Sequence, residues 1–270
     1  MNPVEVRRGS SPVILGLPHA GTHVPPDIWE RLNDEGTKLR DTDWHVDRLY
    51  DGLLPGATTV RATFHRYVID ANRDPSGQSL YPGQNTTGLA PLTDFDNRPI
   101  WKRGAEPTAR DIEARLAAFH APYHAALQAE IDRALAVHQI AIVYDCHSIR
   151  SHCPFLFEGR LPDFNIGTDG GRTCAQALEL AVSDICSTAD GYSHVVNGRF
   201  RGGWTTRHYG RPHDNVHAIQ MEIAQSAYLE TEEPPFAYDD AKAEKLRLHL
   251  DAILTRLNAI ALTITPGARP

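Results

Sequence analysis

His19, Asn72, Arg73, His147 and Glu222 each stand at the end of a strand-like run. His19 follows Val13–Leu17, Asn72 and Arg73 follow Tyr67–Ile69, His147 follows Ile140–Tyr144, and Glu222 ends Ile219–Met221. In open α/β sheets the ligand crevice lies outside the carboxyl ends of the strands, so parallel strands would bring all five residues together. Two imidazoles and a carboxylate, with one position left for water, make a catalytic zinc site. His19 and His147 are the best-placed imidazoles. The carboxylate is chosen among Asp41, Asp43, Asp47 and Asp51. A helix is expected to start near Asp41–Asp43, with Val46, Leu49, Tyr50 and Leu53 as its apolar stripe. At about 100° per residue, Asp43 falls roughly 70° from that stripe, Asp47 roughly 110° and Asp51 roughly 150°. Asp43 is nearest the buried face, Asp47 competes with it, and His23 is a fallback ligand.

Two further clusters could bind anions. Asp70-Ala71-Asn72-Arg73 joins a planar guanidinium, suited to a carboxylate, to a neutral amide donor. The alternative is a structural Arg73–Asp70 pair. Arg199-Phe200-Arg201-Gly202-Gly203-Trp204-Thr205-Thr206-Arg207-His208-Tyr209 reads as a flexible, arginine-rich loop in an otherwise acidic chain. The helical zinc motif H-E-x-x-H and the serine-hydrolase elbow G-x-S-x-G are both absent. Gly167–Gly171 lacks the spacing of a phosphate-binding loop. Cys146 reads as a buried core thiol rather than a nucleophile.

The elements that must position these residues alternate along the chain. Pro12–His19 and Ile140–Tyr144 are continuous apolar runs, as in strands buried on both faces. Thr58–Phe64 and Arg66–Ala71 are rich in β-formers, and Asn215–Ile223 is a late strand. A helical repeat covers Thr108–His138, where Pro122 must kink or split the helix. Further helices are expected over Thr173–Ile185 and Tyr238–Leu262. Asp74–Pro107, rich in proline and glycine, reads as a long loop of the kind that is either functional or disordered, and it could close over a site. The alternation predicts a single α/β domain over residues 1–270 with a mixed, mostly parallel sheet.

Composition narrows the class. The 270 residues are 41% apolar and 23% charged, enough to bury a core without staples. Lys and Arg number 27 against 34 Asp and Glu, a net charge of −7, which argues against nucleic-acid binding. No apolar run approaches the ~20 residues of a membrane span, and Met1–Ser11 lacks the apolar region of a secretory signal. Cys146, Cys153, Cys174 and Cys186 form no C-x-x-C pair, so reduced thiols in a cytoplasmic protein are expected. The sequence carries no signal for an oligomeric state.

Five blocks carry a family resemblance: Pro18–Gly21, Asp41-Thr42-Asp43-Trp44-His45-Val46-Asp47, Arg66–Arg73, Asp145-Cys146-His147-Ser148 and Gly202-Gly203-Trp204-Thr205-Thr206-Arg207. In this order they resemble the N-formylglutamate amidohydrolase (N-formylglutamate deformylase) family, and its deformylase branch of histidine degradation in particular. That family is similar to zinc carboxypeptidases, aspartoacylases and zinc amidases. The resemblance implies a zinc-exopeptidase-like (phosphorylase/hydrolase-like) α/β fold, with a mixed sheet between helix layers and one Zn2+ per chain. His19 and His147 match the histidine ligands, Asp43 the third ligand, Glu222 the general base, and Asn72-Arg73 a carboxylate-holding pair. The carboxypeptidases pair their first histidine and acid as H-x-x-E, whereas here Asp43 lies 24 positions after His19, which keeps Asp47 in competition.

The implied reaction is hydrolysis of N-formyl-L-glutamate to formate and L-glutamate. Arg66 is the candidate for the oxyanion, and a small dianionic substrate calls for two anchors. Arg73 with Asn72 is one, and Arg201 or Arg207 the other. Hydrolysis of another N-acyl amino acid or small amide is the alternative reading. A metal-free binding protein for acidic amino acids is a further one.

Overall fold

Val13–Leu17 (β2) is apolar except for Gly16, and every residue in it is buried. Ala141–Ile149 (β4) and Val216–Ala224 (β7) are likewise buried at all nine positions each. Strands without a wet face belong in the middle of a sheet covered on both sides. In the computed structural model, which describes residues 1–79 and 83–263, these three are the central strands of a seven-stranded sheet. The others are Val4–Arg7 (β1), Thr58–Ala62 (β3), Phe164–Gly167 (β5) and His194–Val196 (β6), in the order β1-β3-β2-β4-β7-β5-β6. The run β3-β2-β4-β7 is parallel, while β1 on β3 and β5 on β7 are antiparallel. The sheet is therefore mixed and mostly parallel, as expected.

The chain leaves β2 to form β3 on one side and later returns to form β4 on the other, so the order reverses between β2 and β4. Such a switch point opens a crevice at the carboxyl ends of the two strands.

Helices cover both faces of the sheet. Val13, Leu15 and Leu17 of β2 and Ile142, Tyr144 and Cys146 of β4 pack with Val46–Tyr50 (α2), Gln176–Ser187 (α5) and Asp240–Ala261 (α7). Ile14, Ala141, Val143, Val216 and Ala218 pack with Tyr123, Leu127 and Ile131 of Ala121–His138 (α4) on the other face. Strand parity then sends Asp145 and His147 of β4, and Gln220 and Glu222 of β7, to this second face. The remaining α-helices among the described residues are Pro26–Trp29 (α1), Ala109–Arg115 (α3) and Trp204–Tyr209 (α6). No helix among the described residues is long and apolar enough to cross a membrane.

Several elements differ from expectation. The helix after Asp41–Asp43 starts only at Val46, because His45 takes the left-handed conformation at φ 59° and Asp43 folds back instead of capping. Residues 66–71 form turns, not a strand. Tyr67, Val68, Ile69 and Ala71 are apolar because they are buried, not because they pair. His147 lies inside its strand rather than after it, and Glu222, expected near the end of the Asn215–Ile223 strand, lies two residues before the end of β7. The predicted 108–138 helix is divided into α3, a wide π-turn over Leu116–His120, and α4, with Pro122 just inside the start of α4. The expected 199–209 loop winds into α6 from Trp204 onward. The described residues of Asp74–Pro107 hold no helix or paired strand, and residues 80–82 of that loop lie outside the described set. Leu89, Asp94, Phe95, Ile100 and Trp101 are nonetheless buried, so much of this loop is a packed wall.

Candidate metal centre and active site

His19 is placed two residues beyond β2, and His147 comes from the last turn of the pleat in β4, so the two flank the switch point. Their Nδ1 atoms lie 3.2 Å apart. Asp43 completes a triangle, its Oδ2 lying 3.2 Å from Nδ1 of His147 and 3.8 Å from Nδ1 of His19. The backbone brings it there, since Asp43 N–H donates to the His19 carbonyl and Ser148 N–H donates to Asp43 Oδ2. All three side chains are buried. Among the described residues they form the group of His, Cys, Asp and Glu whose donor atoms converge closely enough for a metal ion. Asp47, the competitor, faces outward to Arg61 at 3.5 Å. His23 takes no part in the group.

The outer nitrogens of both imidazoles are tied to carboxylates. His19 Nε2 lies 2.7 Å from Asp70 Oδ1, and His147 Nε2 lies 3.0 Å from Asp145 Oδ2. A ring nitrogen facing a carboxylate carries the proton, which leaves the other nitrogen as a lone pair. With both rings neutral, two Nδ1 lone pairs and a carboxylate oxygen face one another, a site that takes up a proton when metal-free or a metal ion in its place. Tetrahedral bonds of ~2.0–2.1 Å place donors roughly 3.3 Å apart, near the observed spacing. Asp43, Asp70 and Asp145 also outnumber the guanidinium of Arg66, which pairs with this group among the described residues. Charge, lone-pair direction and spacing all fit a divalent cation.

Burial opposes ionisation of Asp43, but its hydrogen bonds to His147 and His19 outweigh that and hold it well below the usual carboxylate range. For Asp70, the Arg66 and His19 charges likewise overcome burial. Burial disfavours charge on His147, yet Asp145 and Asp43 together raise it well above its ordinary value. Glu222 stands opposite His147 in the parallel β4–β7 register, on the same face. Burial pushes its carboxyl up to about 8, with the charge of His147 pulling against that and Asp43 adding to it. Gln220 lies two residues earlier on the same face. Its Nε2 donates to Glu222 Oε2 at 3.1 Å, and its Oε1 accepts from Gly203 N–H at 2.6 Å.

One consequence concerns stability. Without metal, Glu222 binds its proton more tightly folded than unfolded, so its contribution is complete below about pH 4.5 and is lost as pH rises toward about 8. Glu222→Gln should therefore raise the Tm of the metal-free protein at pH 8, and the gain should shrink toward zero near pH 4.5. Thermal melts of both forms across that range check this. A pH-independent difference would contradict the placement of a buried, protonated Glu222.

A cavity opens onto this cluster. Arg66, Arg73 and Arg199 give it cationic walls, and Phe95, Ile149, Leu156 and Phe200 give it apolar ones. His19, Asn72, Thr86, Thr87, His147, Gly203, Gln220 and Glu222 complete the lining. Arg66 Nη2 donates to Asp70 Oδ2 at 2.7 Å, its Nη1 lies 3.6 Å from Asp43 Oδ1, and its guanidinium lies 4.8 Å from the Phe95 ring centre. Its buried Nε has no hydrogen-bond partner among the described residues. Arg73 does not pair with Asp70. Its Nε donates to the Thr87 carbonyl and its Nη2 to the Thr86 and Thr87 hydroxyls. Asn72 Oδ1 accepts from Thr205 N–H, and its Nδ2 lies 3.0 Å from His147 Nε2. Gly203 permits this approach, since a Cβ there would fall 2.3 Å from the Asn72 amide.

The structure does not bring Arg201 or Arg207 into the cavity. The end of Arg201 lies beside Gly170, and Arg207 turns to the Gly202 carbonyl and toward Asp169. Arg199, from the same cluster, lines the cavity instead, with Nε on the Leu156 carbonyl and Nη2 on the Asn85 carbonyl. Sequence reasoning also missed Asp145 as the partner of His147 and Gln220 as the partner of Glu222. Both were within reach of strand parity, each lying two residues from a chosen residue. Cys146, one residue from His147, points to the opposite, apolar face, where burial pushes its thiol well up. All four cysteines are buried and unpaired.

A switch-point cavity that holds a His–Asp–His donor triangle beside a buried carboxylate defines an α/β protein with a candidate metal centre. Residues 11–229 match the family model of N-formylglutamate amidohydrolase. The N-formylglutamate deformylase of Pseudomonas aeruginosa is 45% identical over 254 residues, covering 94% of this chain and 95% of that protein. The N-formylglutamate deformylase of Pseudomonas putida is 43% identical over 253 residues, covering 93% and 94%. The crystal structure of N-formylglutamate amidohydrolase from Ralstonia eutropha JMP134 is similar at a TM-score of 0.77 and 26% identity, covering 97% of each chain. The chain belongs to the N-formylglutamate amidohydrolase family.

Proposed function

We propose that this chain, as one catalytic domain over residues 1–270, hydrolyses N-formyl-L-glutamate to formate and L-glutamate at a zinc ion held by His19, Asp43 and His147. The observation that carries the reading is the donor triangle set beside Glu222 in an arginine-lined cavity. The family and its two Pseudomonas deformylases supply the substrate. When bound, zinc supplies Lewis-acid chemistry, polarising a carbonyl oxygen and making water acidic near neutral pH.

The chain's own residues do the rest. Glu222 accepts a proton from the attacking water as its oxygen bonds to the formyl carbon. As the C–N bond breaks, Glu222 returns that proton to the leaving nitrogen, so atoms and charge balance. Burial raises its proton affinity in the metal-free site, and a bound cation beside it would favour the carboxylate that accepts the proton. Gln220 keeps the carboxylate aimed. Arg66, with its unpartnered Nε, stabilises charge developing on the formyl oxygen. Asn72 and Arg73 hold one substrate carboxylate. Arg199, rather than Arg201 or Arg207, is the second anchor, because it is the member of that cluster that lines the cavity.

Release of the free amino acid from N-formyl-L-glutamate, N-acetyl-L-glutamate and N-formyl-L-glutamine, by wild type and Arg73→Met, tests the reading. N-formyl-L-glutamate should be the best substrate. Losing a charge-assisted contact of ~1.5–3 kcal/mol should raise its KM about 10- to 100-fold in the variant. Equal rates on all three substrates, or an unchanged KM, would contradict the anchor assignment.

A further inference from the structure

Phe119-His120-Ala121-Pro122-Tyr123-His124 crosses the break between the π-turn and α4. Pro122 has no N–H for the Ala118 carbonyl, and its ring would crowd that carbonyl in a continuous helix. The chain answers with the wide turn, in which Ala121 N–H donates to the Leu116 carbonyl. Such turns are less favourable than regular helix and recur at functional sites. Here the turn sets two imidazoles against the backbone that carries Asn72 and Arg73. His120 Nε2 donates to the Arg73 carbonyl at 3.1 Å, and His124 Nε2 donates to the Ala71 carbonyl at 2.8 Å.

A carbonyl only accepts, so both Nε2 atoms carry hydrogen. The Ala71 carbonyl thus fixes the His124 tautomer, leaving Nδ1 an acceptor 3.0 Å from the Tyr209 hydroxyl, which also lies 3.2 Å from the His124 carbonyl. Burial holds both rings neutral, lowering His120 and taking His124 to about 3. The two rings lie 4.4 Å apart, and Trp204 packs on them at 5.5 and 4.6 Å. Trp204 also begins α6, whose Thr205 N–H holds the Asn72 amide. The 71–73 segment is thus gripped at the carbonyls on both sides of Asn72 and at the Asn72 side chain itself.

We infer that His120 and His124 are positioning residues for the substrate anchor: their two Nε2–H donors fix the 71–73 backbone so that Asn72 and Arg73 face the cavity. Neither histidine lines the cavity. The inference rests on the reading that Asn72 and Arg73 hold a substrate carboxylate, and the test separates the two.

Kinetics on N-formyl-L-glutamate would be measured for H120F, H120Q, R73M and H120F/R73M, alongside metal content. H120F keeps a ring of similar size and removes the donor, whereas the H120Q amide keeps one. A neutral hydrogen bond of ~0.5–1.5 kcal/mol predicts a KM raised about 3- to 10-fold in H120F, with kcat and metal content near wild type and H120Q close to wild type. Acting through Arg73, H120F should add little to R73M in the double variant. Effects that add fully, or an H120F KM equal to wild type while R73M raises it, would overturn the positioning role alone. An R73M KM equal to wild type would overturn the anchor reading, and this inference with it. Should H120F fail to fold, H120N, whose amide is too short to reach the carbonyl, takes its place and should show the same KM rise against H120Q.

Discussion

Asp43→Asn is expected to remove stoichiometric zinc and to lower kcat/KM for N-formyl-L-glutamate by about a thousandfold or more. Lewis-acid stabilisation is worth several kcal/mol, and each ~1.4 kcal/mol is tenfold in rate. The change is nearly isosteric, so packing is kept while the anionic donor is lost. It leaves the two Nδ1 lone pairs, 3.2 Å apart, without the carboxylate oxygen that completes the triangle. Asp47→Asn is the matched control. Asp47 faces Arg61 at the surface, so its variant should keep both metal and rate. Metal analysis of the purified variants, with formate release, reads both outcomes. Zinc retained in Asp43→Asn and lost in Asp47→Asn would reverse the assignment.

Glu222→Gln is expected to lower kcat by about 10²–10⁴-fold, the range for losing a positioned general base, while KM and zinc content stay near wild type. Glu222 is outside the donor triangle, so the metal does not depend on it. Its amide replacement can still meet Gln220, so the cavity wall survives. A kcat within a few-fold of wild type would remove Glu222 from proton transfer and leave Arg66 and the metal to carry the rate. Loss of zinc in this variant would instead place Glu222 among the ligands.

The chemistry of the site was more legible in the sequence than its local geometry. His19 and His147 stand out in the sequence because each follows an apolar run, Val13–Leu17 and Ile140–Tyr144, and because ligands gather at the carboxyl ends of parallel strands. Helical phase ranked Asp43 first among the aspartates, yet Asp43 is not on a helix. His45 in the left-handed region turns the chain before α2, and that turn, not a helical face, delivers the carboxylate. Residues 66–71 were misread for a related reason. Tyr67, Val68 and Ile69 are buried on turns, and burial selects the same residue types as a strand does. Arg201 and Arg207 share a cluster with Arg199, but which of the three arginines reaches the cavity depends on where α6 begins, and Arg199 is the one that lines it. The split near Pro122 was expected from its missing N–H. The π-turn that realises the split, and the two histidine donors it produces, required the structure.

The most direct test of a metal-dependent N-formylglutamate hydrolase is formate release from N-formyl-L-glutamate by the purified chain, measured as isolated, after chelation, and after zinc is restored. The account predicts release that falls to background on chelation and returns as one zinc per chain is replaced. Release that persists after complete metal removal would contradict it.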